Sequence, residues 1–238
     1  MNLLLLRDED FLPDGTARLG GRRLLHAREV LRAASGDVLR VGRISGRVGQ
    51  GEVLQLSERE LLLRVTLTDD PPARPGIDLL LALPRPKALR KVLPAAAALG
   101  VDRIVLLNAA RVEKSYFESK VFAQVEELLL QGLEQARDTR LPEVLVRDRF
   151  RPFLEDELEA LFPRGTRLVA HPFAAGPAPR REGRALLAVG PEGGWVPFEI
   201  ELLQQRGFAP FSLGPRPLRI EVAVPYALGA LSRPTTSP

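Results

Sequence analysis

The sequence predicts a two-part molecule: a small β-barrel over residues 1–72, then an α/β domain over residues 73–238 built on a mainly parallel sheet. Three observations predict it. Short apolar runs separated by glycine-bearing turns fill the first part. A polar, proline-rich stretch, Asp69-Asp70-Pro71-Pro72-Ala73-Arg74-Pro75-Gly76, carries no apolar period and marks the boundary. Beyond it, uninterrupted apolar runs alternate with helical patterns, which describes strands covered by helices on both faces.

In the first part the strands are Leu3–Leu6, Val38–Val41, Val53–Leu56 and Leu61–Leu67, with turns at Ser35-Gly36-Asp37 and Gly49-Gln50-Gly51. One helical stretch interrupts them, with Leu24, Leu25, Val30 and Leu31 around His26. His26 sits in that apolar pattern and reads as a packed structural residue. In the second part Ile77–Leu83 is a strand, and a helix follows from about Lys87 to Leu99, ending at Gly100. Arg103–Leu107 is a strand, and the period of Val121, Val125, Leu128, Leu129 and Leu133 predicts one long helix over Phe117–Arg137. Val144–Val146, Arg167–Ala170, Ala185–Val189 and Phe208–Leu213 complete the strands, with helices at Leu154–Leu161, Phe198–Gln205 and Leu218–Leu231. The tail Ser232–Pro238 reads as disordered.

Composition excludes several classes of function. The chain has no cysteine, so disulfides, cysteine-ligated zinc and a thiol nucleophile are ruled out. With only His26 and His171, no histidine-rich metal site is expected. No apolar run is long enough to span a bilayer, and Leu3–Leu6 stops at Arg7, so a cytoplasmic location is the expectation. The net charge is +4, and nearly all the base is arginine, whose forked geometry suits phosphate and whose plane stacks on bases. A GC-rich coding sequence gives the same bias.

The chemistry lies elsewhere than in the common nucleotide motifs. No P-loop, no Gly-x-Gly-x-x-Gly after a strand and no Gly-x-Ser-x-Gly elbow is present. Two loops stand out instead. Gly190-Pro191-Glu192-Gly193-Gly194-Trp195 follows the strand Ala185–Val189 and runs into a helix opened by Pro197, with Glu199 in its first turn. Gly214-Pro215-Arg216-Pro217-Leu218-Arg219-Ile220-Glu221 follows the strand Phe208–Leu213 and also leads into a helix. Carboxyl ends of parallel strands are where ligands bind. Each loop alone also fits an ordinary strand-to-helix turn, and Trp195 then serves as its cover.

Taken together, the two loops resemble the cofactor-binding signature of the 16S rRNA (uracil-N3)-methyltransferases, a family of trefoil-knotted (SPOUT) enzymes that use S-adenosylmethionine. His26 with Val30-Leu31-Arg32 and Gly36-Asp37, Gly132-Leu133-Glu134-Gln135 with Arg140 and Pro142-Glu143, and His171-Pro172 extend the resemblance in order. Two departures stand out: Ile220 and Val222 replace the threonines that commonly flank the glutamate, and Ala98 replaces an acidic residue. The resemblance implies a PUA-like RNA-binding barrel, a knotted methyltransferase domain and a homodimer. It implies a cofactor pocket at His171, Gly190, Glu192, Gly193, Leu213, Gly214 and Leu218, with Arg219 and Glu221 as catalytic candidates. His171 is a second candidate base, and Arg216 a second candidate cation. No metal is implied.

The substrate so implied is 16S rRNA or the small ribosomal subunit. Its contacts are expected at Arg22, Arg23, Arg28 and Arg32, within an arginine-dense stretch, and at Lys87 beside Arg85, Arg90 and Lys91. Over residues 1–72, however, arginines and acids balance. Two other readings stay open: methylation of another RNA, such as a ribose 2′-hydroxyl, and an RNA-binding scaffold without catalysis.

Overall fold

The computed structural model describes residues 3–177, 181 and 183–232. Its backbone divides into two compact units, Met1–Ala73 with Leu130–Leu141, and Arg74–Leu129 with Pro142–Pro238.

The first unit is a curled, mixed five-stranded sheet in the order β1-β3-β4-β5-β2. Its strands are β1 (Leu4–Leu6), β2 (Thr16–Leu19), β3 (Val38–Arg43), β4 (Val48–Leu56) and β5 (Leu61–Asp69). β1 runs parallel to β3 and the other pairs are antiparallel. The expected barrel is thus an open half-barrel, whose ladder ends at β1 and β2. Alternation places Leu39, Val41, Leu61 and Leu63 in one core with Leu4, Leu6 and Leu19. Short helix α1 (Gly21–Leu25) continues into a wide turn over His26–Val30, and Leu24 and Ala27 close the same core. The Leu130–Leu141 segment joins this unit through Leu3 N–H to Glu134 O (2.9 Å) and Ser45 N–H to Thr139 O (2.8 Å).

The second unit is a six-stranded parallel sheet in the order β11-β9-β10-β6-β7-β8. β6 (Ile77–Ala82), β7 (Arg103–Leu107) and β10 (Ala185–Val189) are apolar almost throughout. β6 and β10 are buried at every residue, as central strands must be. β8 (Glu143–Arg147) and β11 (Ala209–Phe211) form the edges, and β9 (Thr166–Ala170) lies between β11 and β10. α2 (Pro86–Ala98) starts with proline at its first turn and stops at Gly100, whose φ of +73° favours glycine. α3 is Val125–Ala136. α4 (Phe150–Pro152) and α5 (Leu158–Leu161) flank a wide helical turn, and α6 (Pro197–Gln205) and α7 (Ile220–Leu231) follow β10 and β11.

The long helix predicted over Phe117–Arg137 is shorter than its period implied. Lys114–Glu118 and Lys120–Gln124 form two tight 3₁₀ turns, and α3 begins only at Val125. Ser119 explains the break. Its backbone is extended (φ −68°, ψ 138°), and its hydroxyl accepts from Val121 N–H at 3.3 Å, as an N-cap does. The tail after Ser232 lies outside the described residues.

At the amino end of the parallel sheet, Asp78 on β6 is 5% exposed. One of its oxygens accepts from Arg184 Nη2 at 2.9 Å, while its Oδ1 has no hydrogen bond. Burial raises the Asp78 pKa, against the opposing pull of Arg184. A raised native pKa means the folded state holds this proton more tightly than the unfolded chain. Stability from this group is therefore greatest below the unfolded carboxylate pKa, about 3.9, and falls as pH rises through the native value. Asp78→Asn is expected to flatten that slope and raise the thermal midpoint at alkaline pH. A gain of about 1 kcal/mol would read as roughly 2–4 °C in a chain of this size. A lower midpoint in the variant would show that Arg184 more than offsets the burial.

Candidate active site

The sheet order brings the two glycine-containing loops together. β10 and β11 both pair in parallel with β9, so the segments leaving them emerge at the carboxyl end of the sheet, on either side of His171. His171 N–H donates to Phe211 O (2.9 Å), and its Nδ1 accepts from Phe173 N–H at 3.4 Å. His171 is thus held at the end of the β9 ladder.

The first loop is a tight turn closed by Gly194 N–H to Pro191 O (2.8 Å). Gly194 has φ +73°, and an added Cβ there would meet nothing within 4 Å. The residue is glycine for its backbone conformation, not for lack of room. Gly193 differs: a Cβ would lie 2.9 Å from Arg111 Cδ, because the arginine stem rests against it. A Cβ on Gly190 would come within 3.0 Å of the indole of Trp195, so glycine there makes room for the ring. Trp195 is 6% exposed and packs against Phe150 with ring centroids 5.7 Å apart. Its Nε1 is buried without a hydrogen-bond partner. Glu192 is exposed, and its Oε1 accepts from Arg85 N–H (2.9 Å), the N-cap of α2.

In the second loop Ser212 Oγ accepts from Gly214 N–H (3.1 Å), and Gly214 takes φ +108° with open space where a Cβ would stand. Among the described residues, the backbones of Leu213 and Leu218 make no hydrogen bond. Leu218 is 38% exposed. Free main-chain donors and acceptors flanked by leucine side chains, at a strand end with two open glycines, fit a neutral heterocycle on a flexible polar stem. An adenosyl group attached to an amino acid answers that description.

Arg219 is the N-cap of α7 and is exposed, and its charge acts on the Glu221 carboxyl two residues along. Glu221 lies in the first turn of α7, 3.5 Å from Lys91 Nζ on α2. Its own main-chain N–H at the helix start, then Lys91 and Arg219, hold its carboxyl below the usual range. A carboxylate so stabilised is a weak base.

The five expected RNA contacts separate. Arg23 is committed to Asp10, with Nη2 to Oδ1 at 2.7 Å and a second, shorter contact, and it also donates to Leu5 O. Arg22 donates to Glu134 at 3.0 Å. Arg28 and Arg32 have no ion-pair partner among the described residues. They line an open groove of about 470 Å³ with Ala33, Leu56, Ser57 and Glu58. Lys87 is exposed on α2.

The residues that brace the first loop escaped the sequence reading. Arg85, Ala110 and Arg111 come from β6 and β7 ends, far away along the chain. Only the sheet order brings them to Gly190–Trp195.

Comparison with known proteins gives the class first. Residues 72–232 match a family model described as an RNA methyltransferase domain. Over the whole length, the chain is 30% identical to a ribosomal RNA small subunit methyltransferase E of Treponema pallidum, covering 94% of this chain and 87% of the relative. It is 29% identical to the protein of that name from Mycobacterium bovis, covering 93% and 88%. The chain belongs to the family of ribosomal RNA small subunit methyltransferases E. The fold agrees with a crystal structure of the Neisseria gonorrhoeae protein of that name, bound to S-adenosyl methionine (TM-score 0.76, 23% identity, 97% and 96% covered). A putative methyltransferase of Legionella pneumophila, also with bound cofactor, gives TM-score 0.76 at 23% identity, covering 96% of each chain.

Proposed function

We propose that this protein methylates N3 of a uracil in 16S rRNA, using S-adenosylmethionine bound between the Gly190–Trp195 and Leu213–Arg219 loops. The convergence of those loops at the carboxyl end of the parallel sheet carries the reading. Main-chain groups around Gly190, Gly193, Leu213, Gly214 and Leu218 would hold the cofactor, with His171 between the two loops. Glu192 fixes the first loop from outside through Arg85 N–H. When bound, S-adenosylmethionine supplies an electrophilic methyl group on its sulfonium, so the protein's task is to prepare the nucleophile.

Uracil N3 carries a proton and attacks poorly until it is lost. Arg219, exposed in the second loop at the start of α7, would stabilise the imide anion at O2 or O4. Glu221, held ionised by the helix start and Lys91, would anchor α7 beside that cation. Positioning of base and cofactor together can supply ~7–11 kcal/mol of the acceleration. The target must be unpaired, because pairing hides N3.

The unit containing residues 1–72 would be a PUA-like RNA-binding domain, with 73–238 forming the knotted domain. We place the homodimer surface on α7, where Val222 and Tyr226 are 48% and 56% exposed one turn apart. A cytoplasmic location follows from an rRNA substrate.

Calorimetric titration with S-adenosylmethionine tests the pocket. Micromolar binding supports the enzyme; no binding, with or without rRNA, leaves an RNA-binding scaffold. The groove predicts a second result. Arg28→Ala with Arg32→Ala should weaken rRNA binding and reduce the slope of log K against log salt by about 2, near one per phosphate contact. An unchanged slope would place the RNA elsewhere.

A further inference from the structure

Glu199, on α6, is 2% exposed, yet no cation pairs with it among the described residues. Both of its oxygens are used by peptide N–H groups. Oε2 accepts from Val196 at 2.9 Å, the N-cap of its own helix, and Oε1 accepts from Ala110 at 2.7 Å, in the segment that leaves β7. The second bond is not needed for a helix cap. In the sheet, β6 lies between β10 and β7, so this carboxylate ties the loop after β10 to a segment beyond the neighbouring strand.

The residue after Ala110 reaches the same loop, and the one before it lies in the cluster that holds Trp195. Ala109 and Trp195 share one buried apolar cluster. Arg111 donates from Nη1 to Gly193 O, with its stem lying where a Gly193 side chain would be. Arg111 thus holds Gly190–Val196 at its middle carbonyl and Ala110, through Glu199, at its exit into α6, while Ala109 lies in the same apolar cluster as Trp195. A carboxylate suits the central position because two donors converge on it. Glutamine brings one carbonyl acceptor and one amide NH2 donor, and leaves a buried N–H facing a donor.

We infer that Glu199 and Arg111 are positioning residues for S-adenosylmethionine: they hold the Gly190–Val196 loop in its binding shape before the cofactor arrives. The inference rests on the proposal that this loop encloses the cofactor. A loop ordered in advance loses less conformational freedom on binding, and its removal from that state appears as lost affinity. Neither side chain is required to touch the cofactor.

Trp195, the only tryptophan, lies in the loop and gives an intrinsic fluorescence signal for the titration. Glu199→Asp retains a carboxylate at the third position of the helix but is one methylene too short to reach both donors. It should raise the dissociation constant for S-adenosylmethionine ~10-fold, with Glu199→Gln at least as weak. Arg111→Ala, at an exposed side chain, should act in the same direction. In turnover with saturating rRNA, KM for the cofactor should rise in step while kcat at saturating cofactor holds. Wild-type affinity in folded Glu199→Asp and Arg111→Ala proteins would overturn the inference. If Glu199 variants do not fold, Arg111→Ala decides alone, by the same criterion. Failure of the wild-type protein to bind S-adenosylmethionine would instead defeat the underlying reading of the loop.

Discussion

Arg219→Ala is expected to lower kcat for uracil methylation by ~10²–10³-fold, the typical loss on removing one donor aimed at developing charge. Cofactor affinity should stay near the wild-type value. The reasoning is electrostatic. Glu221 is held below the usual carboxylate range by the α7 start and Lys91, so the neighbouring groups favour a reaction assisted by a cation over one assisted by that base. Arg219 starts the same helix, is exposed, and adds to the positive charge that lowers Glu221. Arg219→Lys should recover part of the loss, since it keeps the charge but not the forked geometry. Glu221→Gln should leave the pH dependence of kcat unaltered, because a group ionised throughout the neutral range contributes no inflection there. Steady-state kinetics over a pH series checks both. Unchanged turnover in Arg219→Ala would remove that residue from the chemistry, and a lost inflection in Glu221→Gln would restore the carboxylate as base.

The second large effect concerns Gly194. Its φ of +73° and the Gly194 N–H to Pro191 O bond define the turn of the first loop. A β-branched residue is a genuine outlier at such an angle. Gly194→Val should therefore open the turn and weaken S-adenosylmethionine binding by roughly tenfold or more, about 1.4 kcal/mol per decade. Gly194→Asn, which tolerates the left-handed region, should bind nearly as the wild type does. Calorimetry on the two variants separates backbone conformation from side-chain bulk. Equal weakening by Asn and Val would mean that bulk in front of the loop matters, not the angle. Gly193→Val is less diagnostic, since it acts by displacing the Arg111 stem.

The parallel sheet was readable because its central strands are nearly continuous apolar runs, Ala185–Val189 without exception and Ile77–Ala82 interrupted only by Asp78. β2 was missed because Thr16-Ala-Arg-Leu offers only two inward residues, Ala17 and Leu19, too short an alternation to stand out. The helix before α3 was overextended because a 3.6-residue period persists through Val121 and Val125, while Ser119 interrupts the backbone. At the site, both glycine loops were visible in the chain because each carries its own turn signals. Their braces were not. Glu199 reads as an ordinary first-turn acid, and its bond to Ala110 depends on which strands neighbour β6. Among the basic residues, composition could not distinguish Arg23, tied to Asp10, from Arg28 and Arg32, which are free to meet a ligand.

Purified protein would be incubated with small ribosomal subunits lacking the modification and S-adenosylmethionine carrying a labelled methyl group, and the 16S rRNA digested to nucleosides for mass spectrometry. Label is expected in 3-methyluridine alone. Label in a 2′-O-methyl nucleoside or another methylated base, or no label despite cofactor binding, would contradict it.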